Sequence, residues 1–105
     1  MELRELTNNF IEAKRVYTGE YLKKLKELLK ESGLEGKTVC DLEHGKNKGV
    51  LKVEPSNYSP AEINFYPLKK DGQVSSVRKG YFFVFSSYSD EYIISELQKR
   101  FEVTE

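Results

Sequence analysis

Leu3, Leu6, Phe10, Ala13, Tyr17 and Tyr21 recur at steps of three and four, and Leu25, Leu28 and Leu29 continue the line. That spacing gathers apolar side chains on one face of an α-helix, so the pattern predicts a helix over residues 1–32. Thr7 and Asn8 are candidate caps near its start. Gly19, preceded by Thr18, is the place where it would kink or divide. Lys23, Lys24, Lys26 and Lys30 interleave with Glu20, Glu27 and Glu31 at pairing distances, which reads as a solvated face. Ser32-Gly33 supplies a C-terminal stop.

Beyond residue 33 the period changes. Residues 38–44 and 50–54 flank the glycine-bounded tip His44-Gly45-Lys46-Asn47-Lys48-Gly49 and read as a hairpin. The loop 55–60 is bounded by two prolines. Residues 61–66 make a third strand, which Pro67 ends or places at an edge because it has no N–H to donate. Asp71-Gly72 marks a tight turn, and residues 74–85 return as a long fourth strand with a candidate bulge at Gly80. Ser89, followed by Asp90 and Glu91, opens a helix over 89–101 with a capping hydroxyl and acids in the first turn. Ile93, Ile94, Leu97 and Phe101 form its apolar face, and residues 102–105 are a short tail. The expected fold is a single α+β domain over residues 1–105, ordered α-β-β-β-β-α. Its four-stranded antiparallel sheet carries both helices on one face. Alternation turns Cys40, Leu42, Leu51, Val53, Ile63 and Phe65 toward the helices. It turns Asp41, Glu43, Lys52, Glu54, Asn64 and Tyr66 away from them.

Charge and cysteine content narrow the chemistry. Seventeen basic and seventeen acidic residues in 105 give no net charge, which disfavours non-specific binding to nucleic acid or anionic membrane. A single cysteine excludes an intrachain disulfide and fits a reducing, cytoplasmic setting. The opening residues lack the basic start and apolar core of a signal peptide, and no apolar run is long enough to span a bilayer. Cys40 and His44 are the only residues of their kinds. In one extended strand they stand about 13 Å apart, too far to share a metal or to act as a nucleophile and base. No cofactor or metal is expected. Asp41 and Glu43 would serve a carboxylate-based enzyme, the least favoured reading.

Lys79–Ser86, "KGYFFVFS", is the most apolar run. Lys79, Gly80, Tyr81, Phe83 and Val84 match the consensus of the strand that carries aromatics in RNA-recognition motifs, and the run resembles that strand over eight residues. The resemblance implies that Tyr81 and Phe83 stack on bases. The order of elements differs, since that fold opens on a strand and this chain on a helix. Read as a plain strand, the run puts Tyr81, Phe83 and Phe85 on one face and Phe82 and Val84 on the other. Two helices cover only one face, so Phe82 and Val84 are expected beneath them and Tyr81 and Phe83 on the open side.

An antiparallel meander brings its first and third connections to the same end. Lys46, Lys48, Lys69 and Lys70 would gather there, with Glu54, Asp90 and Glu91 at the other. The expected function is a non-catalytic inhibitor or adaptor. It would dock a protein, or a second copy of itself, through an open sheet face bearing Tyr66, Tyr81 and Phe83, with the four lysines steering. RNA or nucleotide binding through Tyr81, Phe83 and the basic tips is the alternative.

Overall fold

The computed structural model describes residues 2–43, 45, 47–56, 60–82 and 88–104. The elements are α1 (Leu3–Glu31), β1 (Val39–Asp41), β2 (Asn47–Glu54), β3 (Glu62–Pro67), β4 (Gly80–Phe82), α2 (Asp90–Arg100) and β5 (Phe101–Val103). The sheet is antiparallel with strand order β4-β3-β2-β1-β5. It has five strands rather than four. The fifth starts where α2 stops: Phe101 leaves the helix with φ −119° and ψ 132° and pairs opposite Asp41, with Val103 opposite Val39. What reads as the end of the last helix plus a tail is therefore the edge strand that covers β1. α2 connects the two edges, β4 and β5.

α1 begins at Leu3 with Glu2 at its N-cap and no side-chain cap, so Thr7 and Asn8 lie inside it. The other stop and start signals act as their types dictate. Ser89 accepts the Tyr92 N–H at 3.2 Å and starts α2. Gly33, at φ 82°, follows the Ser32 C-cap of α1. The Asp71 carboxylate accepts the Gln73 N–H at 2.9 Å, and Gly72 sits at φ 84°. α1 runs through Gly19 without interruption. The stretch before Gly80 is not strand, apart from a bridge between Leu68 and Val74. Ser75 bonds instead to the Pro67 carbonyl through its N–H, and its hydroxyl accepts the Val77 N–H. Residues 83–85 of the expected fourth strand lie outside the described residues.

One core lies between the helices and the sheet. It holds Leu25, Leu28, Leu29, Leu34, Val39, Leu51, Ala61, Ile63, Phe65, Phe82, Ile93, Leu97 and Phe101. Register assigns the faces, because residues directly opposite one another share a face. Ile63 stands opposite Val53 and Phe82, and Phe65 opposite Leu51 and Gly80, as alternation predicts. Phe65 lies over Gly49 and stacks with Phe101 at 6.0 Å between centroids. A Cβ on Gly49 would fall 2.7 Å from the Phe65 ring and 2.2 Å from the Tyr66 carbonyl oxygen, so only glycine fits there.

β1 reverses its expected faces. Val39 and Asp41 lie on the helix side, Asp41 only 1% exposed, while Cys40 pairs with Lys48 and Glu102 on the other side. Leu42 is exposed. The cause is Arg100, which reaches under the last turn of α2 to Asp41 at 3.5 Å and Glu43 at 3.3 Å, and donates to the Tyr81 carbonyl at 2.9 Å. A carboxylate normally faces water. Here a guanidinium arriving from another element makes burial tolerable.

The helices differ in how much of each the core uses. α1 has 29 residues, but its buried ones, Leu25, Leu28 and Leu29, lie in its last two turns. Tyr21 and Leu22 are partly covered. Before them, Leu3, Leu6, Phe10, Ile11, Val16 and Tyr17 are 51–79% exposed. The radius of gyration is 16.3 Å and the longest dimension 57 Å, against a radius of about 13 Å for a compact domain of this length. The first five turns of α1 project from the domain.

Candidate functional site

Two surfaces stand out: the sheet face away from the helices, and the projecting end of α1.

The open sheet face is built by Val50, Lys52 and Glu54 of β2, Glu62, Asn64 and Tyr66 of β3, and Tyr81 of β4, which register aligns on one side. Tyr66 and Tyr81 share it with charged and amide side chains, and Phe83, expected beside them, lies outside the described residues. Glu54 and Glu62 stand directly opposite each other. The Tyr66 hydroxyl and the Asn64 amide both donate to Glu54, the latter at 3.0 Å. Arg78 pairs with the buried Glu62 and donates to the Asn64 carbonyl oxygen at 3.0 Å. The Arg78 guanidinium lies 5.6 Å from the Tyr81 ring centroid, and the Lys52 ammonium 4.9 Å from that of Tyr66. Glu54, Pro55, Ser56, Glu62, Asn64, Tyr66 and Arg78 line a cleft of about 320 Å³.

The network sets its own ionisation. Burial pushes the Glu54 carboxyl up, but the hydrogen bonds from Tyr66 and Asn64 outweigh it and hold the group below its ordinary 4.5. Tyr66 is raised above 10.0, chiefly by its bond to Glu54 and then by burial. Glu54 therefore stabilises the fold above the unfolded carboxyl's pKa, and that contribution is lost as pH falls through its lower folded value. Between about pH 5 and pH 3 the wild-type protein should lose more stability than Glu54→Gln, measured as the difference in urea midpoints.

The sequence-derived site residues fall as follows. Tyr81 is on the open face and 47% exposed. Tyr66 is on the same face but half-buried and tied to Glu54. Lys48 stands on that face beside the β1–β2 connection, and Lys69 and Lys70 are exposed at the turn after β3. The Leu68 N–H donates to the Lys48 carbonyl at 2.9 Å, which extends the β2–β3 pairing to the turn that carries Lys69 and Lys70. Glu54 is at the far end of its strand. Asp90 is taken up by Lys24 at 3.0 Å. Phe83, Lys46 and His44 lie outside the described residues. Sequence reasoning missed Glu62 and Arg78, which are 16 positions apart, and only register brings them together.

No family model, curated protein or solved structure matches this chain. The residues and their geometry therefore carry the functional argument.

Among the described residues, the projecting end of α1 is the larger apolar surface. Leu3, Leu6, Phe10, Ala13 and Tyr17 form one stripe, which runs through Tyr21 into the buried Leu25 and Leu28. Tyr17 and Tyr21 touch, with ring centroids 6.2 Å apart. Thr7 donates back to the Leu3 carbonyl at 3.0 Å, and Glu12 pairs with Arg15 at 2.8 Å across one turn. Among the described residues, no helix is long and apolar enough to cross a membrane.

Proposed function

We propose that this chain is a non-catalytic protein-binding module of the inhibitor or adaptor kind. In this reading it docks mainly through the apolar stripe of α1, with Tyr81 on the open sheet face as a secondary contact. The observation that carries this reading is the exposure of Leu3, Leu6, Phe10 and Tyr17 along one helix face that the chain's own core does not use. Most helix stability in proteins comes from packing of the apolar face, and large contiguous apolar patches on soluble proteins mark interaction sites. The free, buried Cys40 supports placing the module in the cytoplasm.

The ionisation of the open face does not suit Glu54 as a general acid or Tyr66 as a general base. A general acid at neutral pH needs a raised carboxyl, and a phenolic base needs a lowered hydroxyl. Glu54 and Tyr66 move the opposite way. RNA binding keeps one point in its favour, the pairing of Arg78 with Tyr81 and of Lys52 with Tyr66. Glu54 and Glu62 on the same face oppose it, because they repel phosphates.

The test is capture of partners by the tagged chain and by Phe10→Glu. Phe10→Glu is expected to lose the captured protein while unfolding at the same urea concentration as wild type when both are measured at high dilution, since Phe10 is 69% exposed. Salt-sensitive, micromolar binding of random single-stranded RNA that disappears in Tyr81→Ala would instead favour the RNA reading.

A further inference from the structure

The geometry points to a second copy of this chain as the occupant of the α1 stripe, the two projecting helices pairing antiparallel about a two-fold axis near residues 11 and 12. The inference rests on the docking reading above and names its partner.

Area is the first argument. Leu3, Leu6, Phe10 and Tyr17 of the stripe are each at least half exposed, and the exposed Ile11 and Val16 flank it on either side. The four stripe residues present on the order of 500 Å² of largely apolar surface, and a stable complex buries about 800 Å² on each partner. The stripe reaches that size with Ile11, Val16 and the neighbouring polar stems. A typical monomer's largest patch is about 300–600 Å².

Geometry is the second. The stripe continues the line of residues that enters the core at Leu25 and Leu28, so the domain hangs from the striped side of its own helix. Two copies side by side in parallel would bring their domains into the same space. Laid antiparallel, the projecting segments, about 27 Å each over residues 3–20, overlap along that length, and Leu3 of each lies beside the point where the other's helix enters its domain. The axis near 11 and 12 sets Phe10 against the small Ala13 and Leu6 against Tyr17. Such a two-fold contact is self-complementary and closes on itself.

Charge is the third. Residues 2–20 carry Glu2, Glu5, Glu12 and Glu20 against Arg4, Lys14 and Arg15. The segment builds no single-sign field against its copy, and antiparallel pairing opposes the helix dipoles. The same balance disfavours an anionic lipid surface, which selects a polar face rich in lysine and arginine.

Sedimentation equilibrium of the full chain tests the inference. The expected mass at tens of micromolar is that of two chains of 12.2 kDa. Phe10→Glu, which enters the contact twice, is expected to weaken the dimer about 100-fold or more. Asn8→Glu, on the opposite side of the helix, should leave the mass unchanged. A dimer that survives both Phe10→Glu and Leu6→Glu would place the contact elsewhere and overturn the proposal. So would a single chain at several hundred micromolar. In that last case the capture experiment separates the two readings. A partner lost with Phe10→Glu would leave docking standing with a different occupant, and no such partner would remove both.

Discussion

Arg100→Ala is expected to destabilise the protein by about 3–5 kcal/mol, the usual cost of stripping the partner from a buried charge. Asp41 is 1% exposed, and the Arg100 side chain only 14%. The guanidinium pairs with Asp41 and Glu43 of the β1 region and donates to the Tyr81 carbonyl of β4. It thereby ties together two strands separated by β3 and β2 in the sheet. It also lies 5.1 Å from the Phe101 ring, so part of the loss is packing. Arg100→Lys keeps the charge without the planar fork and should fall between wild type and alanine. Asp41→Asn combined with Arg100→Ala should cost less than the sum of the two, because each single change already removes the ion pair they share. Urea unfolding of the wild type and the four variants measures this. An Arg100→Ala loss under about 1 kcal/mol would show that the pair behaves like a solvated surface bridge.

Phe82→Ala should cost about 3–5 kcal/mol and Tyr81→Ala less than about 1 kcal/mol, although the two residues are adjacent. Phe82 is 9% exposed, opposite Ile63 and within the core. Tyr81 is opposite Asn64 on the open face and 47% exposed. The contrast is a consequence of strand alternation alone. Equal large losses in the two variants would mean that both sides of β4 are buried.

The sequence made some of this architecture legible because certain signals are local. Ser89 before two acids, Asp71-Gly72 and Ser32-Gly33 act within a few residues and behave as their types require. The alternation of Leu51 and Val53 and of Ile63 and Phe65 places the core face of β2 and β3 correctly, and it separates Phe82 from Tyr81. What was not legible depends on distant partners. Asp41 reads as an outward carboxylate until Arg100, 59 positions away, comes beneath the helix. Phe101–Val103 is too short to show a strand period, and it follows a helix with no glycine or proline to announce the change. Glu62 and Arg78 become neighbours only through the β3–β4 register. The stripe of α1 is unmistakable as a pattern, but periodicity marks an apolar face without saying what covers it. The domain's own core takes Leu25, Leu28 and Leu29 and leaves Leu3 to Tyr17 in water.

Amide hydrogen exchange along α1, measured on the full chain at high dilution, tests most directly whether one end of this helix is held by the fold and the other left for a partner. The expected result is a sharp break within the helix. Amides near Leu28 and Leu29 should exchange as slowly as those of β2 and β3, and amides between Leu6 and Tyr17 at least about 100-fold faster, because only the former lie on a packed face. Uniform, core-like protection from Leu6 to Glu31 in the dilute chain would contradict the account, since it would mean that the first half of α1 is already covered within its own domain.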